Sequence, residues 1–419
     1  MTTNAGARPV IVIGGGVIGA ACAYSLMRAG RPVTLIERGA FGRGSSHGNC
    51  GLVCPSHILP LAEPGMVSKG IKSLFKRNSP FAIKPRFDPA LWSWLLKFAG
   101  RCNERDMIAA GRGIQPLLQS SLLLYRELIE RESLDCEFES RGLLLAYRSK
   151  QAMDAYAATD RLMSESFHCP ARRYDGDAVS ELEPALRAGL AGGWYYHDDS
   201  HLRPDKLMRA WRRVLEAGGV TIREHCAFRG FQSRGGRVVA ADTAGGELPA
   251  DLFIVAAGAW TPLLNEHLGC RIPIQPGKGY SLTMPRPALC PKIPLIFPET
   301  RVAVTPFQSG YRLGSTMEFA GYDESIRPER LRLLRDGATG YLHEPYCEPV
   351  QEEWYGWRPM TYDSLPIIDR SPKYENVIIA AGHNMLGLSM APATGRLVAE
   401  LAEGAQPHID PAPYRAGRF

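Results

Sequence analysis

A strand running straight into a glycine-spaced turn constrains this 419-residue chain more than any other feature. Val10-Ile11-Val12-Ile13 is a continuous β-branched run, the mark of a strand buried on both faces. Gly14, Gly16 and Gly19 follow in G-x-G-x-x-G spacing, Ala20 to Ala29 carry helical periodicity, and Gly30 stands where a helix ends. Val33 to Ile36 make a second strand that closes on Glu37. In such a β-α-β unit the first glycine makes the turn, the second lets backbone approach a pyrophosphate, and the third lets helix and strand pack closely. The helix N-terminus supplies aligned N–H donors for phosphate. Glu37 suits a ribose diol and repels a 2′-phosphate. These residues point to a dinucleotide and leave FAD or NAD open.

The length exceeds what one hydrophobic core serves, so two or three domains are expected. A net charge of +6, with no long basic run, gives a nucleic-acid arm no support. Ten scattered cysteines make no disulfide framework, and Cys50 with Cys54 lacks the second pair or histidines of a zinc site, so no metal is expected. The segment Met1–Arg8 is polar, unlike a secretory signal, and Val10–Ala23 is too short and glycine-broken to span a bilayer. The expectation is a soluble, reduced, cytoplasmic protein.

Further along, residues 42–58 read as a polar loop and 60–135 as mostly helical, with a strand at 142–147. Pro204 opens a helix closed by Gly218-Gly219. Residues 272–356 read as a mixed or antiparallel sheet, and Val377–Gly382 as a last parallel strand before a helix starting near Pro392. The fold class is therefore α/β. A Rossmann-like dinucleotide domain is built from residues 1–58, 200–271 and 355–419, with a helical substrate-domain insertion at 59–199 and a substrate-domain sheet at 272–354.

Three features favour FAD over NAD. Ser45, Ser46, Asn49 and Gly51 lie just past Glu37, placed to hold pyrophosphate and ribityl oxygens. The strand ending Ala256-Ala257-Gly258 sets small residues beside the first turn. Finally Gly382-His383 leads through Gly387 to Ala391-Pro392-Ala393-Thr394-Gly395, whose helix N-terminus suits the charge gathered on a reduced flavin.

The stretches Ser45-Ser46-His47-Gly48-Asn49-Cys50-Gly51, Pro276-Gly277-Lys278-Gly279-Tyr280-Ser281-Leu282-Thr283, Gly356-Trp357-Arg358-Pro359-Met360-Thr361 and Gly382-His383-x-x-x-Gly387 carry a resemblance spread over nearly the whole chain. The chain resembles the D-amino-acid oxidase superfamily of FAD-dependent amine oxidoreductases. Within it, the likeness is closest to the small, FAD-carrying subunits of bacterial D-amino-acid dehydrogenases. The resemblance implies Arg358 over the flavin as anchor of the substrate carboxylate, a task suited to a guanidinium fork. The alternative for Arg358 is a structural bridge to Asp363 or Asp369. Tyr280 is expected to cap the carboxylate or close the pocket, or else only to pack. Lys278 lies near the flavin or on the surface, and His383 lies close to the isoalloxazine or is structural. His47 stands where such subunits carry a small residue. With no cysteine beside the Arg358 signature, non-covalent FAD is expected.

The implied reaction is hydride transfer from Cα of a D-amino or D-imino acid to flavin, D-proline or hydroxy-D-proline included. Electrons would pass to a quinone or redox partner protein, with peripheral membrane contact on the inner face. Rival readings are a glycine- or sarcosine-type oxidase using O₂, and a flavin subunit of an electron-transfer complex.

Overall fold

The computed structural model describes residues 9–74, 79–84 and 86–419. The polar Met1–Arg8 segment, and parts of the helical reading at 75–78 and 85, lie outside the described residues. Val10–Ile13 occupies the middle of a six-stranded sheet, parallel to Val33–Ile36 on one side and Leu252–Val255 on the other. Thr221–Arg223 and Val377–Ala381 extend it in parallel, and Ile367–Arg370 closes one edge antiparallel. Three distant chain segments thus share one sheet.

Alternation decides what covers each face. Val10 and Val12 pack with Leu26, Trp211 and Leu397 of the helices Val17–Arg28, Pro204–Ala217 and Gly387–Glu403. Ile11 and Ile13 point the other way, onto Val238 and Ala241 of a small antiparallel sheet of the strands Phe228–Arg234, Arg237–Thr243 and Gly246–Pro249. Every residue of Val10–Ile13 and Leu252–Val255 is buried, as their unbroken apolar runs require.

A nine-stranded mixed sheet forms the second layer. It runs from Glu352–Thr361 through Ile274–Met284, Gly310–Phe319, Val302–Phe307 and Leu295–Phe297 to Leu143–Tyr147, Gly192–Tyr196 and Arg172–Asp175, with Phe81–Ile83 pairing Gly310–Phe319. Leu295–Phe297 lies parallel to Leu143–Tyr147, so the sheet is mixed.

The structure departs from the sequence reading in four places. Glu352–Thr361 pairs with Ile274–Met284 along ten residues, so the chain returns to the dinucleotide layer only after Thr361, not at 355. The helix Glu104–Glu132, inside the 59–199 insertion, buries Ile114, Leu117 and Tyr125 in the dinucleotide-domain core rather than with the substrate sheet. The last helix begins at Gly387, a full turn and more before Pro392. Proline there removes the N–H that the Leu388 carbonyl expects. The Tyr125 hydroxyl, on Glu104–Glu132, donates to that carbonyl at 2.8 Å, and Ala393 N donates to Ser121 Oγ at 3.1 Å. The neighbouring helix repairs the break, so the proline is tolerated. A helix at Pro328–Thr339 also stands within the 272–354 sheet region, its stripe reduced to Leu331, Leu334 and Ala338.

Candidate functional site

Where the two layers face each other lies a cavity of about 840 Å³. Gly14 and Gly16 line it, whereas Gly19 works underneath. Gly14 has φ +113°, and a Cβ there would stand 2.4 Å from the Ala256 carbonyl oxygen. A Cβ on Gly19 would stand 1.8 Å from the Gly14 carbonyl oxygen. The turn and its packing against the Leu252–Val255 strand are therefore glycine-only. Gly258, φ +55°, also lines the cavity, and a Cβ there meets nothing within 4 Å. Gly387 lines it too; Gly382 instead packs against Thr361 and Ile367, off the wall.

The polar groups expected to hold cofactor first hold the loop. Glu37 Oε2 accepts from Gly15 N at 2.7 Å and Oε1 from Gly39 N at 2.9 Å. Each carboxylate oxygen keeps a further acceptor site for a ribose. Ser46 Oγ accepts from Val17 N at 2.9 Å, at the helix N-terminus, which leaves its proton to donate. Ser45 Oγ donates to the Trp357 carbonyl at 2.6 Å. Asn49 braces its own turn, Nδ2 to Ser46 O and Oδ1 from Gly51 N. Gly51, φ +71°, has the Leu202 carbonyl 2.1 Å from a notional Cβ.

Sequence reasoning missed Arg312, which is fully buried. Its Nε donates to Thr283 Oγ1 at 2.9 Å, and Nη1 donates to the Asn49 carbonyl at 2.7 Å, so it clamps this loop onto the substrate sheet. Burial lowers its pKa, and Asp205 opposes that. The available signal was a lone arginine within the apolar run Tyr311-Arg312-Leu313.

On the substrate side Arg358 lines the cavity. One guanidinium nitrogen, Nη1, donates to the Thr316 carbonyl at 2.8 Å. No carboxylate pairs with Arg358 among the described residues: Asp363 pairs with Arg418 at 2.6 Å, and Asp369 accepts from Ala416 N. Burial lowers its pKa, with Cys50 opposing, but a guanidinium stays charged. A Cβ on Gly279 would sit 2.3 Å from Nη1, so that glycine gives the arginine its place.

Tyr280 also lines the cavity, but its ring does not lie beside Arg358. Gly277 pairs with Arg358 and Tyr280 with Tyr355, which puts Tyr280 and Arg358 on opposite faces of the sheet. The Tyr280 hydroxyl touches Glu318 Oε2 at 2.9 Å, so the expected carboxylate cap is spent on the protein. Lys278 is neither on the surface nor on the cavity wall. It is fully buried, Nζ donating to the Ser325 carbonyl 4.7 Å over the Tyr355 ring, and burial lowers its pKa. His47 turns to Arg43 and Glu352, 2.7 Å away at the latter, and is not part of the wall. Asn384 lies on the wall but spends its amide on Thr361 and Gly382. His383 reaches the cavity with Nε2 3.0 Å from Thr394 Oγ1. Burial takes its pKa to about 3, so it serves as a neutral hydrogen-bonding group rather than a base.

Cys54, expected to have no histidine near it, lies with His57 and Asp199, their ligand atoms within 4.8 Å. Both oxygens of Asp199 are taken by Ser56, at 3.1 Å to its N and 2.5 Å to its Oγ. Burial raises this carboxyl to about 7 against those hydrogen bonds. Between its ordinary value of 3.8 and about 7 the unfolded chain releases the proton while the folded chain keeps it. Stability from the neutral acid is therefore full at low pH and falls across that window, by at most about 1.4 kcal/mol per pH unit. Asp199→Asn is expected to gain on wild type between pH 5 and 8 in denaturant melts; parallel melts would show the acid ionised throughout.

The sequence matches the family model for FAD dependent oxidoreductases over residues 9–401. It is 30% identical to D-amino acid dehydrogenase of Granulibacter bethesdensis over 98% of this chain and 99% of that one. It is 33% identical to the D-amino acid dehydrogenase of Paramagnetospirillum magneticum, over 94% and 95%. Among solved structures, glycine oxidase from Geobacillus kaustophilus superposes with a TM-score of 0.80 at 22% identity, covering 98% of this chain and 99% of that one. L-proline dehydrogenase from P. horikoshii gives 0.73 at 20%, covering 99% and 98%.

Proposed function

The chain belongs to the FAD-dependent oxidoreductase family, and from that premise we propose that it is a dehydrogenase of D-amino acids, with Arg358 holding the substrate carboxylate. The observation that carries this is a cavity-lining guanidinium with no carboxylate partner among the described residues. FAD fits the residues present. Gly14, Gly16 and Gly258 leave the wall free of side chains where a pyrophosphate must come close, and the Val17–Arg28 helix aims its first N–H groups there. The stretch Gly356–Thr361 holds no cysteine, which supports a non-covalent cofactor, while Cys50 stands on the cavity wall close enough to act on Arg358: acid precipitation is expected to release the yellow colour, and colour kept on the pellet would refute this.

When bound, FAD accepts the two electrons that leave Cα as hydride while the amine nitrogen forms the imine. The chain's part is placement. Arg358 fixes the carboxylate, and the sheet beneath it fixes the distance from Cα to the opposite wall. Neutral His383 and the Gly387–Glu403 helix N-terminus line the far side. A pure electron-relay subunit would have no use for an unpaired arginine in the pocket.

D-Proline and hydroxy-D-proline belong in the substrate panel, but neither His47 nor Asn384 offers them a free group, so acyclic D-amino acids stand equally. The acceptor we propose is a quinone or redox partner, following the dehydrogenase relatives. No described helix is long and apolar enough to cross a membrane. Peripheral contact is supported by exposed Phe87, Trp92 and Leu96; the sequence of residues 66–101 carries eight lysines and arginines and one acid, Asp88, although Lys69, Lys84 and Arg101 pair with Glu63, Asp323 and Asp106. Anaerobic mixing with D-amino acids is expected to bleach the flavin, with re-oxidation fast by quinone or phenazine dye and slow by O₂. Peroxide production matching the dye rate would make the protein a glycine-oxidase-like oxidase.

A further inference from the structure

The short strand Leu52–Val53 runs antiparallel to Ser200–His201, with Val53 opposite Ser200. One step further along, that register sets Cys54 beside Asp199, and the loop Cys54-Pro55-Ser56-His57 brings His57 to the same place. The thiol sulfur, a carboxylate oxygen and an imidazole nitrogen all lie within 4.8 Å of one another. No ligand set is visible in the sequence, because the carboxylate arrives by strand pairing from far along the chain.

His57 is the member that the fold leaves unused. Its Nδ1 is shut off from solvent without a hydrogen-bond partner, and neither ring nitrogen bonds to any described residue. A sealed, unpartnered nitrogen costs free energy that a ligand would recover. Burial takes the pKa to about 4, so the ring is neutral, the form in which imidazole binds a cation. Asp199 is held ready. Ser56 N and Oγ donate to its two oxygens, which fixes the carboxylate and leaves each oxygen a further lone pair. Outer donors of that kind orient the ligands of metal sites. Cys54 and His57 line the cavity, while Asp199 lies behind them, fully buried.

We infer that Cys54, His57 and Asp199 bind a divalent cation of the zinc class that enters from the cavity, and that the bound ion inhibits the enzyme. Sulfur and imidazole with a single carboxylate select zinc over magnesium or calcium, which take oxygen ligands. Ligand atoms around tetrahedral zinc stand roughly 3.3–3.7 Å apart, so shifts of about 1 Å at the side-chain tips close the set. The Cys54 proton leaves as its sulfur takes the ion, and Asp199 releases its proton where it holds one. One thiolate and one carboxylate then balance the ion's two charges, so the buried cluster stays uncharged overall. Three protein ligands leave a fourth position for water. With Asp199 behind the ion, that position faces the cavity, in the space the reacting molecules need. The binding is independent of Arg358; the inhibition rests on the dehydrogenase reading.

The test is equilibrium dialysis of the FAD-loaded, EDTA-washed protein against zinc chloride, with bound zinc counted by elemental analysis. Wild type is compared with Cys54→Ser, His57→Gln, Asp199→Asn and Cys169→Ala. Cys169 is the control, a thiol near enough to feel the Asp199 charge but outside the converging set. Wild type and Cys169→Ala are expected to take up one zinc per chain, and each cluster variant to weaken it by about tenfold or more. FAD content and melting in EDTA, measured for every variant, separate a lost ligand from a lost fold. Cadmium in place of zinc is expected to give a thiolate charge-transfer band in the ultraviolet difference spectrum, absent from Cys54→Ser. With D-alanine and a dye acceptor, zinc is expected to inhibit wild type over the concentration range in which it binds, EDTA to restore the rate, and the cluster variants to resist. No uptake by wild type, or equal uptake by the cluster variants, would overturn the site. Zinc held by the cluster with turnover untouched would overturn the inhibition. A protein that turns over no D-amino acid would sink the dehydrogenase reading alone, since dialysis needs no substrate.

Discussion

Gly19→Ala is expected to cost the protein its flavin, with FAD content after gel filtration falling at least tenfold, the equivalent of about 1.4 kcal/mol or more. The added Cβ would stand 1.8 Å from the Gly14 carbonyl oxygen, where neither partner is a flexible side chain that can swing aside. Relief must come from moving the Val17–Arg28 helix away from the turn, and that helix carries the N–H groups for phosphate. The same movement strains the contact between Val17 N and Ser46 Oγ. Gly258→Ala is the contrast. Its Cβ meets nothing within 4 Å in the protein, so its cost is limited to φ +55° and to whatever the cofactor occupies. Gly19→Ala with full, tightly held flavin would mean that the first turn does not seat the pyrophosphate.

The dinucleotide layer was legible because its signals are local. A strand, a spaced turn, a helix and an acid within one short stretch each declare themselves, and Val10–Ile13, Val33–Ile36, Leu252–Val255 and Val377–Ala381 form the expected parallel core. Side-chain destinations across the sheet were not legible. Tyr280 and Arg358 share a motif-rich neighbourhood, but which face each takes depends on the register between Ile274–Met284 and Glu352–Thr361, and one residue of slip reverses it. Register is a tertiary quantity with no trace in either segment alone.

Long-range partners were hidden for the same reason. Pro392 stops a helix by local rules, and only the Tyr125 hydroxyl on a distant helix lets Gly387–Glu403 continue through it. His47 reads as a pocket residue by its place in the loop, yet Glu352, far away in sequence, draws it off the wall. Arg312 is marked only by being a lone charge in an apolar run, and nothing local says that it reaches back to the Asn49 carbonyl. Glycines were legible where the clash is with adjacent chain, as at Gly19 against Gly14, and misplaced where it is with remote chain, as at Gly382 against Thr361.

Arg358→Ala is expected to lower kcat/KM for every D-amino acid by roughly 10²–10³-fold or more. The argument is electrostatic. A carboxylate entering this cavity leaves water, and beside Arg358 the wall offers neutral groups, the Cys50 thiol and the Thr316 carbonyl. Without the guanidinium the anion is buried unpaired, a loss of about 3–5 kcal/mol. Arg358→Lys restores charge but not the fork, and a single ammonium cannot both hold the Thr316 carbonyl and span two carboxylate oxygens in one plane. It is expected to recover only a small part of the loss. Gly279→Ala separates position from charge. Its Cβ would crowd Nη1 at 2.3 Å, but the tip of an arginine can shift, so roughly a tenfold drop in kcat/KM is expected with charge retained. Steady-state kinetics on the three variants, with flavin content measured for each, decides the matter. If Arg358→Ala keeps kcat/KM within about threefold of wild type for all D-substrates, the carboxylate is held elsewhere, and the unpaired arginine serves the protein rather than the reaction.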